Sequence, residues 1–245
     1  MTSTRMWIGL VIAAALYVLL SVGSSFYSGT LAAAGGNGPL PPSLQTAEGV
    51  RNVFAAAGTA HLFALMLGIL GMTQEFRFQT ITSTLLAAPR RGKVVIAKMS
   101  GYAIVGAVYA VIGIVLGYLM AFGLLLFSSH AAISAGSLLA IAGGAILGCA
   151  LYAILGVAVG TLVRNQVAAV VGALVWVVLV EALLVSLLPR VGKWLPGGAL
   201  QAVLQATGFG NTAFLPVWGG VLLLLAYAAI LAALAAATTL RRDVT

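Results

Sequence analysis

Apolar runs of membrane length recur six times along the chain, at about residues 6–26, 50–73, 96–127, 135–163, 167–188 and 217–240. A helix rises ~1.5 Å per residue, so about 20 apolar residues cross the ~30 Å hydrocarbon core of a bilayer. The pattern predicts an all-α integral membrane protein, one transmembrane domain over residues 1–245 with six spans. The first run, with Arg5 before it and Ala32, Ala33 and Ala34 after it, also raises a cleaved signal peptide. It is longer than a signal core and its small-residue site lies far beyond it, so a retained anchor is expected.

Most of the polar gaps are short. Residues 28–43 hold Gly35, Gly36, Gly38, Pro39, Pro41 and Pro42 and read as turns outside the membrane. Ser43 or Thr46 is placed to cap the next helix, with Glu48 and Arg51 one turn apart behind it. Ser128, Ser129, His130 and Ser134 make an outer loop, and Arg164, Asn165 and Gln166 a tight inner turn. Between the fifth and sixth runs, residues 189–216 form a polar stretch in which 199–206 read as a short helix dipping partway back from outside.

One gap differs. Residues 71–98 carry five basic side chains (Arg77, Arg90, Arg91, Lys93 and Lys98) together with Glu75. Within it Phe78, Ile81 and Leu85 recur at helical spacing and give one apolar edge, with Arg77, Thr80, Ser83 and Thr84 away from it. Pro89 ends that short helix. Such an element suits a groove on a soluble partner or a position flat on lipid headgroups.

Lys and Arg bias sets the orientation. With the N-terminus inside, the inner segments hold nine basic residues and the outer ones three, namely Arg51, Arg190 and Lys193. Both termini are then cytoplasmic. The fourth run also carries Gly144, Gly148, Tyr152, Gly156 and Gly160 on one stripe, and the third Gly106, Ala110, Gly113 and Gly117. Small residues let helix backbones approach closely in lipid, and packing within the chain is the expectation here rather than a dimer seam.

Composition narrows the classes further. With 62% hydrophobic and 7% charged residues, the chain cannot cover a soluble globule, whose charged share is about 25%. The net charge of +8 sits at the ends of apolar runs, which fits the anionic inner leaflet and not nucleic acid. Cys149, the one cysteine, excludes an intrachain disulfide. No GxxxxGK[ST], HExxH or GxSxG occurs, and His61 and His130 are too few for a zinc cluster, so neither an enzyme nor a metal site is expected.

Two ionisable residues remain inside spans. His61 and Glu181 each lie about eight residues from an outer end, roughly 12 Å deep, where they could meet. A carboxylate at such depth costs roughly 2.5–3.5 kcal/mol, so it should face protein or water. Glu181, with His61, is a candidate for a polar part of a translocation path. The competing expectation is that Glu181 pairs with a neighbouring helix and that His61 is a satisfied interior histidine.

The run Glu75-Phe76-Arg77, then Thr80 to Leu86, then Pro89-Arg90-Arg91 and Lys98, resembles the segment between the second and third spans of type-2 ABC transporter permeases. Trp194-Leu195-Pro196-Gly197-Gly198, after a fifth span bearing Glu181, is also similar to bacterial members. The resemblance implies a six-span permease subunit of a bacterial cell-membrane exporter, acting as a homodimer. It implies two copies of a separate ATP-binding subunit that hold ATP and Mg, with no cofactor on this chain. The coupling helix would run from Phe76 to Leu86, with Glu75, Phe76, Arg77, Phe78, Ile81 and Leu85 at the ATPase contact. Residues 189–216 would be the external re-entrant segment, and the second and fifth spans would line a path for an amphipathic or lipid-like compound of the drug or antibiotic class. Family members often carry an amphipathic helix before the first span, and here only residues 1–5 precede it. The alternative is a non-transporting scaffold or sensor whose basic loop binds anionic lipid or a regulatory partner.

Overall fold

The structure is a computed structural model that describes residues 2–35, 41–78, 91–163, 165–206 and 215–238. Six helices in it are long and apolar enough to cross a membrane: Trp7–Ala33, Ala47–Arg77, Ile96–Leu125, Ala135–Val163, Gln166–Val185 and Val217–Leu234. Among the described residues there is no strand. The chain is thus an all-helical, multi-pass membrane protein, and the six runs fall where hydropathy puts them.

The first span departs most from its expected bounds. Its helix runs from Thr2 to Ala33, seven residues beyond Phe26. The polar residues in this last stretch satisfy themselves against the helix: Ser24, Ser28 and Thr30 donate to the carbonyls three residues back, at 3.0, 3.0 and 2.7 Å. A hydroxyl bonded to its own helix costs the bilayer little, so residues 28–33 extend the span and are not a turn.

The second span is the axle of the bundle. About 72% of its most apolar window is buried, against 11% for the fifth span and 17% for the first and sixth. It begins as expected, with the Thr46 hydroxyl accepting from the Gly49 N–H at 3.1 Å and Glu48 in the first turn. A Cβ on Gly49 would collide with the backbone of Pro42 and Ser43, so the chain can turn this tightly only over a glycine. The helix then tightens to a 3-10 segment at Ala56–Ala60 and resumes as α-helix from His61 to Arg77. Gly58 abuts Leu204, and Ala57 and Ala60 abut Gly117 and Gly113 of the third span.

Both small-residue stripes are filled from within the chain. On the fourth span, a Cβ at Gly156 would strike the Leu65 carbonyl, and one at Gly160 would come within 2.9 Å of the Ile69 carbonyl, both on the second span. Gly144 and Gly148, two turns nearer the start of that helix, seat Val203 and Leu200. Those two belong to the short helix Pro196–Val203, which lies between the fifth and sixth spans in sequence and folds back among the helices. Gly220 of the sixth span also packs on this helix, where a Cβ would come within 2.5 Å of the Ala199 carbonyl.

The fifth span is irregular as well. Asn165 caps it by accepting from the Ala168 N–H at 3.1 Å. Its α-helix gives way to a π-helical segment, Val175–Glu181, and then recovers over Ala182–Leu187. Non-α turns therefore interrupt the second and fifth spans, and His61 and Glu181 stand at the junctions where α-helix resumes.

Candidate functional site

Two polar constellations lie on opposite halves of the bundle. The first is at the end of the second span. Glu75, Phe76 and Arg77 form the last turn of that span's helix, which closes with the Phe78 N–H donating to the Gln74 carbonyl at 2.9 Å. Phe76 and Arg77 thus continue the span and do not open a separate helix. Ile81 and Leu85, the other two residues expected at the ATPase contact, lie outside the described residues, as does most of the proposed coupling helix.

Glu75 is joined to Lys98, near the start of the third span, by a salt bridge. Both side chains are mostly buried, at 24% and 18% exposed, so the pair is screened less than a surface one. One turn deeper, Tyr102 of the third span rests directly on Gly71 of the second, its hydroxyl filling the place of a Cβ. Gly71 and Glu75 on one helix thus meet Lys98 and Tyr102 on the other, each pair four residues apart and on one face. Met72, Phe76, Met99, Tyr102 and Val157 pack around this joint. Phe78 beyond it is 67% exposed, with the Arg77 guanidinium over its ring at 5.7 Å. The second carboxylate oxygen of Glu75 is buried without a hydrogen-bond partner.

The second constellation lies in the other half of the bundle. Glu181 is 2% exposed, and both of its oxygens accept hydrogen bonds: one from the Trp176 indole N–H at 2.8 Å, the other from the Gly197 N–H at 2.7 Å. Gly197 is in the first turn of the helix Pro196–Val203, whose Leu195 cap has no side-chain hydrogen bond of its own. Glu181 therefore caps that helix from another span, satisfying one of the orphan N–H groups every helix start leaves. A Cβ on Gly197 would collide with the same carboxylate oxygen.

His61 faces the 3-10 segment that precedes it, its Nδ1 2.9 Å from the Gly58 carbonyl. Its ring meets Tyr152 of the fourth span edge-on, with centroids 4.7 Å apart. The Tyr152 hydroxyl is buried without a hydrogen-bond partner. His61 and Glu181 share no hydrogen bond. The partners of Glu181 were not apparent from spacing. In an α-helix, residues five apart stand about 140° from one another, so Trp176 and Glu181 would diverge. The π segment, with its i→i+5 pattern, brings them to one face.

Among the described residues no group of three or more His, Cys, Asp or Glu is placed to hold a metal ion. Compared with known proteins, the chain matches no protein-family model and no curated protein.

Proposed function

We propose that the chain is the membrane-spanning permease subunit of an ATP-driven exporter of the ABC type. In this reading two copies form a homodimer in a bacterial cell membrane, each engaging an ATP-binding subunit that holds ATP and Mg. The nine-to-three distribution of basic residues supports cytoplasmic termini and hence a cytoplasmic loop between the second and third spans. The substrate class, an amphipathic or lipid-like compound of the drug or antibiotic kind, rests on the resemblance to such permeases.

The observation that carries the reading is the joint of Glu75 and Lys98. It ties the helix that leads into the 79–90 segment to the helix that follows it through a mostly buried ion pair. A displacement of that segment by a partner cannot be absorbed at its ends, and passes into the second span. That span is the most enclosed of the six, and it carries the motion to the fourth across Gly68, Gly156 and Gly160. The fourth span in turn seats the helix Pro196–Val203. In the conformation described, Glu181 is fully engaged and braces that helix, so a path bounded by the second and fifth spans requires this contact to shift.

Co-purification in detergent with an ATP-binding subunit of the same organism tests the proposal. An Ile81→Asp, Leu85→Asp double variant should abolish the complex and the ATPase activity that depends on it. A loop that tolerates this change, yet loses lipid binding when its basic residues are neutralised, would overturn the permease reading in favour of a lipid-binding scaffold.

A further inference from the structure

Near their loop-side ends the first and third spans leave a cleft of about 440 Å³, lined by Trp7, Lys98, Gly101, Tyr102 and Val105. Its size falls within the roughly 300–1,000 Å³ of small-molecule sites. Three features describe what would fill it. The first is position: the apolar runs of the first and third spans begin at about residues 6 and 96, beside Trp7 and Lys98, so the mouth belongs near the boundary of bilayer and water. Tryptophan and lysine concentrate at that boundary. The second is polarity: Lys98 supplies the cationic end, and below it Gly101 and Val105 are exposed toward the lipid side. The third is openness: a Cβ built on Gly101 meets no heavy atom within 4 Å, although the residue belongs to a packed helix.

We propose that this cleft binds a membrane phospholipid, with the headgroup phosphate accepting from the Lys98 ammonium and one acyl chain lying along Gly101 and Val105. A lysine ammonium has three donors, and the salt bridge to Glu75 engages one side of it. The same salt bridge fixes the side chain at the mouth, so little rotamer freedom is lost when a phosphate arrives. Arg91 and Lys93 precede Lys98 in the chain and keep this end of the molecule basic despite Glu75. On the orientation proposed above, the lipid belongs to the inner leaflet, whose anionic headgroups such residues attract. The inference itself rests on the membrane-spanning fold and holds whether or not the chain is a permease.

The protein is purified in mild detergent, reconstituted into nanodiscs of phosphatidylglycerol and phosphatidylethanolamine, and extracted for native mass spectrometry that counts retained phospholipid. Gly101→Leu puts an apolar side chain into the cleft at a position where a Cβ meets no neighbour. It should lower the retained phospholipid by one per chain, with at least tenfold weaker rebinding. Gly123→Leu, at an equally open position toward the other end of the same helix, should leave the count unchanged. A Glu75→Gln, Lys98→Met double variant removes the phosphate donor without stranding a carboxylate, and should also weaken retention. Should Gly101→Leu fail to fold, Val105→Trp fills the same space. Equal retention by the cleft-filling variant and the parent overturns the site. Full retention by the double variant overturns the phosphate contact and leaves only an apolar crevice.

Discussion

Glu181 shows how one buried acid can dictate the geometry of two elements. Its carboxyl needs two donors, and the fold meets both needs at once: a π turn swings the Trp176 indole onto its face, and a foreign helix offers the Gly197 N–H. A glutamine at this position has one acceptor oxygen and one NH₂ group, so one of the two N–H donors would face another donor. Hydrogen bonds to a charged group contribute about 1.5–3 kcal/mol, and we expect Glu181→Gln to cost about that much. Thermal unfolding in detergent measures it. A melting temperature equal to that of the parent would rule out the capping role. Transport is a separate readout: a variant that folds normally when stabilised by lipid yet fails to export would place Glu181 on the path as well.

Among the elements, the fourth span sorts its glycines by what faces them. Gly156 meets the Leu65 carbonyl, a backbone atom that cannot swing aside, whereas Gly143 has nothing within 4 Å. Gly156→Ala should therefore destabilise by about 1–3 kcal/mol, as overpacking does. Gly143→Ala, in the same helix, should be neutral or gain up to about 1 kcal/mol from helix propensity. Equal effects in an unfolding titration would mean that the stripe is not a packing seam. The stripe and the six spans were legible in the sequence because each needs only periodicity and length. The cap at Thr46 was legible for a similar reason, since a hydroxyl three residues before its donor is a local signal. The 3-10 turn at Ala56–Ala60 and the π turn at Val175–Glu181 were not. Neither contains proline, and both answer tertiary demands: Leu204 pressing on Gly58, and the helix at Pro196 calling for a cap. The end of the first span was misplaced because serine and threonine read as loop residues, although each bonds back to its own helix.

For the molecule as a whole, the side of the membrane on which the 79–90 segment lies decides what it can do. The proposed permease requires it inside, and cysteine labelling reads the side directly because the chain offers a quiet background. Cys149 is 0% exposed, so the parent protein should resist a membrane-impermeant maleimide on both sides. His130, exposed between the third and fourth spans, lies at the far end of the third span from Lys98. His130→Cys should label in intact cells, and Thr2→Cys only after the membrane is opened. The reverse pattern would place the Glu75–Lys98 joint and its loop outside the cell, where no ATP-binding subunit can reach them. It would remove the permease reading while leaving the phospholipid cleft intact in the other leaflet, since that site depends on the helices and not on which way they point.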